Sequence, residues 1–116
     1  MNSPARTVLV VDDDASIRLL CRLNLELDGW QVLEAATLDE ARQRLVADDV
    51  DVVVLDVHVG SASGIDFLHE LRSERPALNV ALLTGAADVS AADTDAVIPK
   101  PFTIEQLTST VSKLAG

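Results

Sequence analysis

The chain has 116 residues, of which 48% are hydrophobic and 24% charged, and its formal net charge is -10. These values are typical of one globular domain spanning residues 1–116, and they exclude a disordered or fibrous chain. The negative charge argues against binding to nucleic acid or to an anionic membrane, because lysine and arginine side chains hold phosphate groups. The sequence contains neither a signal-peptide pattern nor an apolar run of about eighteen residues, so we expect a cytoplasmic protein.

The first strand is a nearly continuous apolar run, Thr7–Val11, which is typical of a strand buried on both faces of a parallel sheet. Three aspartates follow it directly. Leucine-rich helical spacing then predicts a helix over Ala15–Leu27, which Asp13 or Asp14 can cap and which Gly29 can end.

The next three elements repeat the alternation of strand and helix. A short strand is predicted at Gln31–Ala35. Thr37 and Glu40 form a capping-box pattern for a helix that reaches about Ala47. Val50–Leu55 is a second buried-strand pattern.

The third helix is predicted from about Ser63 to Ser73, after a loop that contains Gly60 and Gly64, and Pro76 prevents its continuation. Apolar runs then predict two more strands, Asn79–Leu83 and Ala96–Ile98.

Only eleven residues, Gly85–Asp95, separate the end of the fourth strand from the fifth. A parallel crossover that includes its helix needs at least about 10 to 12 residues, and this segment has hardly any apolar periodicity. We therefore expect the fourth helix to be shortened or missing, or replaced by a mobile loop. A last helix with an apolar stripe of helical period is predicted at Thr103–Leu114.

Strands that alternate with helices predict an α/β fold, a five-stranded parallel sheet with helices on both faces. Ligands bind such sheets at the carboxyl ends of the strands. Polar residues stand at four of these ends: Asp12 and Asp13, then Asp56, then Thr84, and last Lys100. We expect three carboxylates, a hydroxyl and an ammonium group to lie along one edge of the sheet.

This set of groups suits phosphoryl transfer. Carboxylate oxygens are preferred ligands of Mg²⁺, and a carboxylate can also act as a nucleophile that forms an aspartyl phosphate. Each residue alone also has an ordinary structural interpretation, such as a helix cap for an aspartate or a solvated surface position for Lys100. Five such residues in one order are more informative than any one of them.

Four stretches resemble the response regulator receiver domain of bacterial two-component signalling, the family of CheY-like domains. They are "VLVVDDD", "VVVLDVHVGSASG", "LLTGA" and "PKPF", and the resemblance covers essentially the whole chain. It implies a flavodoxin-like, doubly wound sheet. It also implies that Asp12, Asp13, Asp56 and the backbone carbonyl of His58 hold Mg²⁺.

By the same resemblance, Asp56 is the phosphoacceptor, and Thr84 and Lys100 bind the phosphoryl group. The Lys100–Pro101 bond is expected to be cis, a conformation found almost only before proline. The implied partners are a histidine kinase or phosphotransfer protein as donor and an unknown output protein. Such a domain slowly hydrolyses its own aspartyl phosphate and is not a conventional enzyme.

The residues also support Asp56 as the nucleophile independently of the family. Asp12 and Asp13 are adjacent to Asp14 and open a helix, so metal binding and capping are their natural roles. Asp56 stands alone at the end of a central strand, before a glycine-containing loop.

Two positions depart from the family pattern. Gly60 replaces a usual proline, so we expect a looser loop after Asp56. Val97 replaces a usually aromatic residue three positions before the lysine, so the coupling between Thr84 and an aromatic ring is expected to be weak or absent.

Two alternative functions stay open at this point. A pseudo-receiver would have the fold and bind partners without phosphorylation. A haloacid-dehalogenase-like phosphatase would use Asp12 as nucleophile, with Thr84 and Lys100 in its later motifs, but past Lys100 the chain has only Glu105 as an acidic residue.

The first helix carries two apolar rows. One is expected to face the core and contains Ile17, Leu20 and Cys21, with the lone cysteine as a small buried hydrophobe. The other has i, i+4, i+8 spacing and contains Leu19, Leu23 and Leu27. If exposed, this second row is either a surface for a phosphotransfer helix or for a homodimer, or a set of surface leucines without a function.

Overall fold

The computed structural model describes residues 6–85 and 94–116. The strands of its main sheet are β1 Thr7–Val11, β2 Gln31–Ala35, β3 Val52–Asp56, β6 Asn79–Thr84 and β7 Ala96–Pro99, and a separate short pair is formed by β4 His58–Val59 and β5 Ala62–Ser63. The helices in this part of the chain are α1 Ala15–Leu27, α2 Leu38–Ala47, α3 Gly64–Glu74 and α4 Ile104–Leu114.

The five strands of the main sheet are parallel and lie in the order β2-β1-β3-β6-β7. The chain moves from β1 to one side to form β2 and then crosses to the other side of β1 to form β3. This change of direction creates a topological switch point between the carboxyl ends of β1 and β3, where open α/β sheets bind their ligands.

The core lies on both faces of the sheet, because neighbouring residues of a strand point to opposite faces. Val8 and Val10 pack in the cluster that contains Cys21 and Leu25 of α1 and the α4 residues. Leu9 and Val11 pack instead in the cluster built with α2 and α3. The predicted fold class is therefore confirmed. Trp30, at the turn between α1 and β2, is buried in the α1 cluster.

The helix caps agree with the sequence in most details. Asp14 rather than Asp13 caps α1, accepting from the backbone N–H groups of Ser16 and Ile17. Thr37 caps α2 by accepting from the Glu40 N–H, but Glu40 accepts from Ala36 rather than from Thr37, so only half of the predicted capping box is present.

Three predictions about local structure were wrong. The third strand begins at Val52 rather than at Val50. The segment after Asp56 is not a loose loop, because His58 pairs with Ser63 and Val59 with Ala62 in an antiparallel hairpin that turns at Gly60, where φ is +63°.

Leu20 is the third correction, since it is 39% exposed and does not belong to the core. Successive residues of a helix are about 100° apart around its axis, so Leu20 points away from the buried row of Cys21 and Leu25.

The expectation of a shortened or missing fourth helix concerns residues 86–93, which lie outside the described residues. Within the described ranges, no helix is both long and apolar enough to cross a membrane.

Candidate functional site

Three carboxylates meet at the switch point of the sheet. Asp12 follows β1 directly, Asp13 is the next residue, and Asp56 is the last residue of β3. One carboxylate oxygen from each of these residues lies within 4.8 Å of the other two. Asp12 and Asp56 are buried and Asp13 is exposed, so the cluster opens to solvent on the side of Asp13.

Lys100 brings a positive charge to this cluster from the end of β7. Its Nζ lies 3.1 Å from an oxygen of Asp12 and 3.2 Å from an oxygen of Asp56. Burial lowers the pKa of Lys100, but the hydrogen bonds and negative charges of the two aspartates outweigh burial and raise it overall. The ammonium group therefore stays charged at neutral pH.

Asp12 is tightly held at the end of β1. Its backbone N–H donates to the Ala35 carbonyl at 3.1 Å, and its Oδ1 accepts from the Asp14 N–H at 2.9 Å. Burial raises the pKa of Asp12, and the hydrogen bonds from Asp14 and Lys100 offset only part of that effect. In a site without a cation, ionised Asp12 is therefore less favourable than an exposed aspartate.

Thr84 ends β6 and is buried at the carboxyl edge of the sheet. The backbone N–H of Lys100 donates to the Thr84 carbonyl at 2.8 Å, which continues the β6–β7 pairing to the edge of the sheet. Thr84 follows Leu83, the register partner of Asp56 on β3. The predicted hydroxyl thus comes to the same edge as the carboxylates.

His58 lies two residues beyond Asp56, in β4, with an exposed side chain. The cluster of three carboxylates does not include its side chain. The role of its backbone carbonyl as a metal ligand stays a prediction. The Lys100–Pro101 bond is cis, as the family resemblance implied.

Gly64 contacts the backbone at the site, although the sequence indicates only a loop glycine at this position. Its N–H donates to the Val57 carbonyl at 2.6 Å, and a Cβ atom added to it would lie 2.0 Å from the carbonyl oxygen of Asp56. The start of α3 therefore packs directly on the backbone of Asp56. The sequence offered one signal, a glycine at a helix start. The contact itself depends on the β4–β5 hairpin, which lies between Asp56 and Gly64 in the chain.

The site can hold a divalent cation. Its donors are hard carboxylate oxygens, close enough together to share one ion, and Mg²⁺ commonly takes one or two carboxylates while keeping several waters. Asp13 lies on the exposed side of the cluster, where solvent water can reach such an ion. Lys100 supplies a positive charge beside Asp12 and Asp56.

Residues 8–112 match the family model described as the response regulator receiver domain. The chain belongs to this family. As a receiver domain it is a component of two-component signalling, and this membership is at odds with the haloacid-dehalogenase-like alternative.

Curated relatives of this receiver domain include the probable transcriptional regulatory protein TcrX of Mycobacterium tuberculosis, 39% identical over 107 residues. They also include the response regulator MprA of Mycolicibacterium vanbaalenii, 36% identical over 106 residues. These alignments cover 87% and 86% of this chain but 46% of each relative. The chain thus spans slightly less than half the length of the curated relatives that it matches.

Solved structures similar to this receiver domain include the response regulator TrrA of Thermotoga maritima in complex with Mg²⁺ and BeF. Its TM-score is 0.86 and its identity 29%, with 94% of this chain and 98% of that chain covered. The chemotaxis response regulator CheY4 of Vibrio cholerae has a TM-score of 0.84 and 27% identity, over 95% of this chain and 98% of that chain.

Proposed function

We propose that this receiver domain accepts a phosphoryl group on Asp56 from a histidine kinase or phosphotransfer protein. In this proposal Asp12, Asp13, Asp56 and the His58 carbonyl hold Mg²⁺, and residues 1–116 act as one domain. The observation that carries the proposal is the convergence of three carboxylates and the Lys100 ammonium at one switch point. The TrrA structure, described as a complex with Mg²⁺ and BeF, supports it by similarity.

Asp56 is the better nucleophile of the two buried aspartates. Both carboxylate oxygens of Asp12 are engaged, one by the Asp14 N–H and the other by Lys100. Asp56 ends the central strand of the sheet and has Lys100 beside one of its oxygens. The other oxygen is available for in-line attack on phosphorus, while the bond between phosphorus and the donor nitrogen breaks.

Phosphoryl transfer needs positive charge and hydrogen bonds around the equatorial oxygens of the phosphoryl group. In this proposal Lys100 contributes its ammonium group and Thr84 its hydroxyl. A bound Mg²⁺ supplies further charge neutralisation at those oxygens. Asp12 and Asp13 orient that ion and do not react. Slow hydrolysis of the aspartyl phosphate returns the domain to its starting state.

The phosphodonor is proposed to dock on the solvent side of α1. Leu19, Leu23 and Leu27 are 47%, 51% and 86% exposed, which confirms that this row is outside the core. Leu20 continues the apolar surface into a groove of about 400 Å³, which is also lined by Lys100. Because this surface reaches the edge of the site, a helix carrying a phosphohistidine fits it, and a second copy of the domain is the alternative occupant.

Signal output is proposed to occur by contact with another protein, in a cytoplasmic setting. Val97, in place of an aromatic residue, lies on the partly exposed β7. A valine side chain has no ring to swing between buried and exposed positions. We therefore favour output through a surface that does not depend on movement of an aromatic ring at position 97.

The test incubates the protein with Mg²⁺ and acetyl phosphate and measures its intact mass. A single phosphoryl adduct is expected for the wild type and is expected to be lost in Asp56→Asn. Retention in Asp56→Asn together with loss in Asp12→Asn would instead identify Asp12 as nucleophile. No adduct in the wild type would mean a pseudo-receiver.

A further inference from the structure

Asp12 is held at four polar atoms, and each contact comes from a different part of the chain. Its N–H bonds to Ala35 of β2, its Oδ1 to the Asp14 N–H and its Oδ2 to Lys100. The fourth contact is to its backbone carbonyl oxygen, which accepts from Nη1 of Arg18 at 2.6 Å. Lys100 belongs to the proposed chemistry, and Ala35 and Asp14 make their contacts through the backbone, so Arg18 is the one remaining partner that holds Asp12 with a side chain.

The Arg18 guanidinium is itself fixed from outside the site. Its Nε lies 3.3 Å from one carboxylate oxygen of Glu34, and Nη1 of Arg22 lies 2.9 Å from the other oxygen of Glu34. Nε of Arg22 in turn pairs with Glu26 at 3.2 Å. The side chain of Arg18 is largely buried, and its planar fork lets it bond Glu34 and Asp12 at the same time.

The carbonyl that Arg18 holds belongs to the peptide that joins Asp12 to Asp13. Because a peptide group is planar, fixing the Asp12 carbonyl also fixes the plane from which the Asp13 backbone starts. This hydrogen bond thus helps to orient Asp12 and Asp13, two of the residues proposed to hold the cation, relative to each other. Asp13 is exposed and so has little surrounding protein to hold it in place.

We infer that Arg18 is a positioning residue of the cation site: anchored by Glu34 of β2, it fixes the peptide between Asp12 and Asp13. This inference rests on the proposed function, since it assumes a cation at these carboxylates. Partners that orient metal ligands from outside typically change metal affinity about 10- to 100-fold when removed. For Arg18, which acts through the backbone, we expect a loss of about 10-fold, at the lower end of that range.

The experiment measures the Mg²⁺ dissociation constant by calorimetry for wild type, Arg18→Met and Arg22→Met. Arg22→Met is a matched control, because it removes an equal charge from the same helix and also breaks a bond to Glu34 without touching Asp12. A second readout is the amide NMR spectrum of the metal-free proteins, in which Arg18→Met is expected to shift the Asp13 and Asp14 resonances and Arg22→Met to leave them in place.

Weaker Mg²⁺ binding in Arg18→Met with wild-type affinity in Arg22→Met would support the inference. Equal affinities in all three proteins, or equal losses in both variants, would overturn it. If Arg18→Met does not fold, Arg18→Lys replaces it, with an intermediate affinity expected because an ammonium group lacks the rigid planar fork by which Arg18 bonds Asp12 and Glu34 together. Absence of Mg²⁺ binding in the wild type would refute the proposed cation site itself, and that result is distinct from a failure of Arg18 alone.

Discussion

At the scale of single residues, Gly64 controls the position of the proposed phosphoacceptor. A side chain at this position would overlap the carbonyl oxygen of Asp56, a backbone atom that cannot turn away as a flexible side chain can. The start of α3 or the end of β3 would have to move. This constraint is steric and does not depend on a special backbone angle, since Gly64 is not among the glycines with positive φ.

We predict that Gly64→Ala destabilises the domain by about 2–3 kcal/mol, in the upper part of the range for overpacked sites. Urea denaturation followed by the fluorescence of Trp30, the single tryptophan, measures the free energy of unfolding. The control is Gly85→Ala, where an added Cβ meets nothing within 4 Å and a change within about 0.5 kcal/mol is expected. A Gly64→Ala variant as stable as that control would contradict the packing argument.

The meeting of polar side chains at the strand ends was predictable from the sequence, but the contacts of helix residues with those strand ends were not. Asp12, Asp56 and Lys100 were predicted to meet because the carboxyl ends of parallel strands share one edge of the sheet. No periodicity or spacing in the sequence predicts the contact of Gly64 with Asp56 or that of Arg18 with Asp12. They depend on how a helix start lies against a strand end.

At the scale of elements, buried strands and capped helices were the most predictable parts of the fold. Apolar runs such as Thr7–Val11 have no alternation because both faces of the strand are covered, and that pattern fixed both ends of β1. The β4–β5 hairpin was missed because strands of two residues are too short to show a period. Leu20 was assigned to the wrong side of α1 because its apolar residues, with Ile17 and Cys21 beside the leucines, extend around most of the helix and leave the core-facing row ambiguous.

The exposed leucines of α1 give a prediction about the phosphodonor. We expect the double variant Leu19→Lys/Leu23→Lys to slow phosphoryl transfer at least about 10-fold from a histidine kinase that phosphorylates the wild type, because two interface anchors of more than 1 kcal/mol each are removed. Phosphorylation by acetyl phosphate should be unchanged, since that small donor needs no docking surface. The free energy of unfolding should also stay close to the wild-type value, as neither leucine is in the core.

Val46→Lys is the matched control, because Val46 is an exposed apolar residue on α2, away from α1. Equal transfer rates for the double variant and this control would remove α1 as the docking surface. Sedimentation of the same proteins separates the two occupants. A wild-type dimer that the double variant converts to monomer would identify the leucine surface as a homodimer interface.

At the scale of the whole molecule, the free energy of folding is linked to the cation site. The chain has a net charge of -10, and three of its carboxylates are held together at one edge of the sheet. Two unit charges about 4 Å apart repel by about 4 kcal/mol at an effective dielectric constant near 20. Lys100 offsets part of this repulsion between Asp12 and Asp56, and Asp13 lies outside the two ion pairs that Lys100 makes. Part of the repulsion among the three carboxylates therefore remains in the metal-free fold.

Magnesium binding should stabilise the whole domain, because the ion binds the folded state and not the unfolded chain. At a Mg²⁺ concentration 100 times its dissociation constant, the expected gain is about 2.7 kcal/mol. Asp13→Asn should lose most of this gain along with Mg²⁺-dependent phosphorylation, yet be more stable than wild type in EDTA, since one repelling charge is gone. Asp14, not Asp13, caps α1, so no cap is lost in the variant. Urea denaturation of wild type and Asp13→Asn, each in EDTA and in excess Mg²⁺, measures the four free energies of unfolding. An Asp13→Asn protein less stable than wild type in EDTA would show that charge repulsion is not the dominant effect at this position.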